Sequence, residues 1–60
     1  MDPNANLQEQ EAILTPGRIY RVTDTWRLRW LRESLADWIG SGGFEPNWSL
    51  APRASRYYGR

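Results

Sequence analysis

Leu28-Arg29-Trp30-Leu31-Arg32-Glu33-Ser34-Leu35-Ala36-Asp37-Trp38-Ile39 is the stretch that decides the fold. Leu28, Leu31, Leu35, Trp38 and Ile39 recur at three- and four-residue intervals, the period of a helix face. At about 100° per residue they gather within roughly 100° of arc, which suits packing against a second helix. Thr23 or Asp24 offers a side-chain cap at the start. Gly40-Ser41-Gly42-Gly43 supplies a stop, because glycine takes left-handed cap angles without a Cβ penalty. The spacing therefore predicts a helix over about 24–40.

Upstream, Asp2-Pro3 predicts a first helix over about 3–14, with Asp2 as the cap and Pro3 in the first turn. Leu7, Ile13 and Leu14 give it a narrow apolar stripe, and a helix this short needs something to lie against. Thr15-Pro16-Gly17 stops it, with Pro16-Gly17 suited to the centre of a type II turn. Arg18-Ile19-Tyr20-Arg21-Val22 is rich in β-branched and aromatic residues and is expected to be an extended connector. Downstream, Phe44 is placed to latch back onto the last turn, and Pro46, Trp48 and Leu50 to continue that return. The expected architecture is all-α: two antiparallel helices joined by a Pro-Gly turn and connector, forming one small domain over 1–52. Residues 53–60 are expected to form a flexible basic and aromatic tail.

Composition narrows the function. At 60 residues the chain buries only about 60% of its unfolded surface, so it depends on good packing or a partner chain. It has no Cys and no His, which removes disulfides, thiolate chemistry, the commonest metal ligand and the commonest acid–base group. No Lys is present to activate a Ser or Thr in place of His. Glu33 and Asp37, four apart, read as a solvated helix face with Arg29 rather than an acid–base pair. Gly40-Ser41-Gly42-Gly43 follows a helix instead of opening one, so it does not read as a phosphate loop. The expectation is a non-enzymatic protein with no cofactor and no metal. No signal peptide or membrane span is expected, and a cytoplasmic setting is the default.

Charge is sorted along the chain despite a net of +1. Residues 1–17 carry Asp2, Glu9 and Glu11 and no base, whereas Arg18, Arg21, Arg27, Arg29 and Arg32 crowd the middle. Every basic residue is Arg, which fits either coding bias or selection for planar guanidinium contacts. Trp26 and Trp30 are four apart on one face, well round from the leucine stripe. A core role under a wrapping tail is the favoured reading. The alternative is an exposed patch with Arg27, a composition common in interface hot spots. A nucleic-acid surface would draw on Arg18, Arg21 and Arg29 with the tail residues Arg53, Arg56, Tyr57, Tyr58 and Arg60. The acidic first helix and the modest pI of about 8.3 weigh against it.

Two stretches carry a resemblance. Asp2-Pro3-Asn4-Ala5-Asn6-Leu7, and Leu35 through Pro46 with Trp48, resemble short proteins of actinobacteria and their phages. In those, an Asp-Pro-Asn-Ala start leads to a helix, and a second helix closes on a Leu-x-x-Trp-Leu-x-x-Gly-Gly-Phe-x-Pro element. Here Ile39 stands at the second Leu, and neither Thr15–Arg29 nor the Tyr57-Tyr58-Gly59-Arg60 ending follows the pattern. The resemblance implies a small intracellular helical protein, phage-encoded and acting as an accessory, and carries no activity with it. The expected function is protein binding, to itself, a host protein or a virion component. The alternative is nucleic-acid binding.

Overall fold

The computed structural model describes residues 2–60, and those residues are all-α. Helix α1 spans Pro3–Leu14 and α2 spans Val22–Gly40. A 3-10 turn, Trp48–Leu50, leads into a short third helix, α3, at Pro52–Arg56.

Local chemistry accounts for the boundaries. The Asp2 carboxylate accepts hydrogen bonds from the Asn4 and Ala5 N–H groups at 3.0 and 3.4 Å, and Pro3 fills the first turn where no N–H is needed. Gly17 has φ +83°, as the Pro16-Gly17 turn requires. Helix α2 closes on a Schellman motif. Gly42, at φ +88°, donates to the Ile39 carbonyl at 3.1 Å, and Gly43 donates to the Trp38 carbonyl at 2.9 Å. Gly43 lies so close against the Trp38 indole that a Cβ would overlap the ring.

Helix α2 starts earlier than the sequence suggests. Arg21 is the cap, and Asp24 sits inside the first turn, where it accepts the Arg21 N–H at 2.9 Å. Asp24 thus works as the inward-reaching half of a capping box rather than as the cap itself. The Arg21 N–H, followed by burial and the Arg18 guanidinium, sets its acidity; the hydrogen bond outweighs the burial and holds the carboxyl below the usual range. The extended connector shrinks to the few residues before Val22.

The two long helices meet along the leucine seam. Leu7 and Leu35 are buried together with Ala51 and Ala54, and Ile13 is buried with Leu28 and Leu31. Asn6 reaches the Leu31 carbonyl at 3.0 Å and Glu9 meets Arg27 at 2.7 Å. Asn6 and Glu9 of α1 thus meet Leu31 and Arg27 of α2 in reverse order along the chain. Two polar residues lie in this seam. Gln10, fully buried, donates to Asn6 Oδ1 at 2.7 Å and to the Tyr58 hydroxyl at 3.1 Å, so the buried amides are satisfied.

Part of the segment 53–60, expected as a flexible tail, is helical and packed on α1. Ala54 and Ser55 are buried, and their small side chains let α3 lie close on α1. Ala51, the residue before α3, has no side chain that can cap it. Glu11 of α1 takes that role from across the molecule. Its Oε1 accepts the Arg53 and Ala54 N–H groups, both at 3.0 Å, and its Oε2 accepts from the Arg53 guanidinium at 2.8 Å. Phe44 is a weaker latch than expected. It meets the Trp38 ring edge-on at 5.6 Å yet stays largely exposed, while Pro46 is buried and Trp48 half-buried.

Burial alone would raise the Glu11 pKa, but the Ala54 and Arg53 hydrogen bonds outweigh it and the value falls below 4.5. A carboxyl depressed in the folded state contributes stability that is present above its unfolded pKa and is lost as pH falls through the folded pKa. Glu11→Gln is therefore expected to destabilise the chain by about 1–2 kcal/mol at pH 7, the range of a lost helix cap. The difference between the two proteins should close in acid, below pH 4.5. Urea titrations at neutral and acidic pH check both statements; an undiminished difference in acid would show that the charge is not what holds α3.

Candidate functional site

With α1 on one side of α2 and α3 packed on α1, the opposite side of α2 has no cover. Val22, Trp26 and Trp30, at intervals of four, run along that side. They are 77%, 63% and 60% exposed, against 6%, 2% and 0% for Leu28, Leu31 and Leu35. At 100° per residue, Trp26 points almost directly away from the centre of the buried stripe. Ile19, in the connector before α2, is 79% exposed as well. The favoured core role for Trp26 and Trp30 is thereby corrected. It required the C-terminal segment to wrap over α2, and that segment is instead held on α1 by Glu11 and Gln10.

Arg27 does not stand free beside the indoles. It is turned to α1, where Glu9 holds it at 2.7 Å. Hence the structure brings Trp26 and Trp30 together and assigns Arg27 to fastening the helix pair.

The nucleic-acid candidates are scattered and largely neutralised. Arg18 pairs with Asp24 at 3.2 Å, Arg29 with Glu33 at 3.3 Å, Arg53 with Glu11 at 2.8 Å and Arg60 with Glu45 at 2.7 Å. Among the described residues, Arg21 and Arg56 are the members of that set whose guanidinium groups form no ion pair within 4.0 Å. Tyr57 is exposed and lies under the Arg32 guanidinium, 4.0 Å from its carbon to the ring centroid. Tyr58 turns inward onto Gln10 and packs 5.2 Å from the Trp48 ring, so it cannot stack on a base. Burial raises its pKa against the opposing Gln10 hydrogen bond.

The three groups with displaced pKa values are Glu11, Asp24 and Tyr58, and each has a structural partner that accounts for it. None lines the cleft on the flank of α2 between Tyr20 and Tyr57. No helix of the described residues is long and apolar enough to cross a membrane. Comparison of the chain with protein-family models, with curated proteins and with solved structures finds no match.

Sequence reasoning found the indole pair but not the length of the apolar surface. Val22 falls in the expected connector, although its spacing from Trp26 and Trp30 extends their stripe by one turn. Covering the exposed part of one indole would contribute on the order of 3 kcal/mol. In the isolated chain that contribution is absent. Trp26→Ser with Trp30→Ser is accordingly expected to shift unfolding free energy by less than about 1 kcal/mol. Leu35→Ala should cost about 2–5 kcal/mol. Chemical denaturation of both variants checks this. An equally large loss in the tryptophan variant would mean that the indoles support the monomer.

Proposed function

We propose that this chain is a non-enzymatic protein-binding module whose contact surface is the Val22–Trp26–Trp30 face of α2. The observation that carries the reading is the contrast on a single helix: the leucine side is closed and two tryptophans on the other side are open to solvent. Isolated exposed apolar residues are ordinary, but a contiguous apolar stripe built on tryptophan is the composition of an interface centre. Binding works by occupying a partner surface, with no bond made or broken. The partner is a protein: a second copy, a host protein or a virion component. The setting, a phage-type accessory protein in a bacterial cytoplasm, rests on the Asp2–Leu7 and Leu35–Pro46 resemblance alone.

The nucleic-acid reading is the weaker one because its arginines are committed. Five of the chain's eight arginines already face carboxylates within 3.3 Å. Phosphate contacts would have to displace those pairs.

The test joins solution mass with partner capture. Sedimentation equilibrium over a wide concentration range, and capture from a nuclease-treated lysate of the source cell, are run on the native chain and on Trp26→Ser/Trp30→Ser. The expected result is self-association or specific retention that weakens at least about tenfold in the variant, as for loss of interface anchors. It should change little with salt. A monomer at every concentration that retains nothing would overturn the reading. Binding that vanishes with nuclease or falls steeply with salt would replace it with the nucleic-acid alternative.

A further inference from the structure

Arg32 differs from the other arginines. It alone is not exposed, it makes no hydrogen bond or ion pair to any described residue, and its Nε is buried without a partner. The Tyr57 ring covers the guanidinium at 4.0 Å. A partly desolvated cation held against an aromatic face attracts an anion more strongly than a solvated one. Arg32 and Tyr57 both line a cleft of about 310 Å³ on the flank of α2. That volume is at the small end of ligand sites.

The lining selects the ligand. Tyr20 and Leu28 supply apolar wall, and the Thr25 hydroxyl supplies a polar group. Arg29 and Arg32 contribute two positive charges and Glu33 one negative, leaving a net of +1 from these three formal charges. A monoanion balances this; a phosphate dianion does not. The cleft runs along the middle of α2, where backbone N–H groups are already bonded within the helix, so it lacks the amide cradle that phosphate sites use. A planar guanidinium end matches a carboxylate with two parallel hydrogen bonds. The geometry points to a binding site for a small carboxylate on a flat apolar body, such as an aromatic monocarboxylate, held by Arg32, since Arg29 is already paired with Glu33. Arg32 lies about 120° round α2 from Trp26, although Arg29 and Glu33 at the rim of the cleft border the indole face, so variants at Arg32 and at Trp26 test the two readings separately.

Benzoate is the probe, with benzyl alcohol as its neutral counterpart and inorganic phosphate as a competing anion. A sealed Nε–H exchanges slowly, so the Arg32 Nε–H resonance should be visible by NMR at neutral pH. Benzoate is expected to shift that resonance and the Tyr57 ring protons saturably, while benzyl alcohol leaves the Arg32 signal in place. Arg32→Lys keeps the charge and loses the fork, and should weaken binding at least about tenfold. Tyr20→Ala, on the exposed connector, should weaken it severalfold with the fold intact. Together these results support the site. A shift that never saturates, an equal response at Arg56, tighter binding of phosphate than of benzoate, or undiminished binding by both variants would overturn it.

Discussion

The Glu11 carboxylate holds the two parts of the molecule together. Two long helices can close only one seam, and the chain after Gly43 returns to it on small and partly covered groups: Pro46, Ala51 and Ala54 are buried and Trp48 is half-buried, while Phe44 and Leu50 stay exposed. What brings the segment back is a negative charge on α1 that caps the exposed N–H groups of α3. Those groups would otherwise face the molecule with no acceptor, since Ala51 cannot serve them. Once α3 is fixed, Ala51 and Ala54 complete the pocket around Leu7 and Leu35, and Tyr58 reaches the buried Gln10. The cap and the small side chains depend on each other: a larger residue at Ala54 would hold the backbone too far from Glu11.

This fastening also determines what remains open. The C-terminal segment lies on α1 and reaches the outside of α2 only along one flank, where Tyr57 covers Arg32. The outer side of α2 thus keeps its tryptophans in water for a reason set elsewhere in the fold. An exposed indole does not help the isolated chain, and the interior is closed without it. The physical case for an interface is that separation: the residues that stabilise the fold and the residues that would stabilise a complex occupy different sides of one helix.

Much of α2 was legible because its pattern is redundant. Five apolar residues at helical spacing and a glycine-rich stop point the same way, and the fold repeats that pattern. Helix α1 was legible at its ends, through Asp2-Pro3 and Thr15-Pro16-Gly17, but half of its buried face was not. Asn6 and Gln10 lie at helical spacing with Pro3, Leu7 and Ile13, yet polar side chains count against burial unless a partner is known. Their partners are the Leu31 carbonyl and the Tyr58 hydroxyl, 25 and 48 residues away. The third helix failed for the same reason. Residues 52–56 are too few to be helical by propensity, and their cap comes from a residue 42 and 43 positions earlier. In the sequence Arg32 is one more charge of the basic middle, because nothing near it in the chain announces that Tyr57 covers it.

The sorting of charge along the chain acquires a meaning in three dimensions. Glu9 binds Arg27, Glu11 binds Arg53 and Glu45 binds Arg60, so three of the five ion pairs join segments that are distant in sequence. Exposed pairs of this kind contribute little individually, roughly 0–1 kcal/mol. Their effect is to favour one arrangement over another, because an acidic first helix accepts basic segments and repels a second acidic one. The same pairing spends the basic excess that looked, in the sequence, like a footprint for phosphate. What is left over is not a field but a few separated cations, and only Arg32 is both shielded from water and without an anion. The two features that the fold does not use for itself, an indole stripe and a single unpaired guanidinium, therefore stand on different faces of α2. Each calls for a ligand of a different kind: an apolar surface for the first and a small anion for the second.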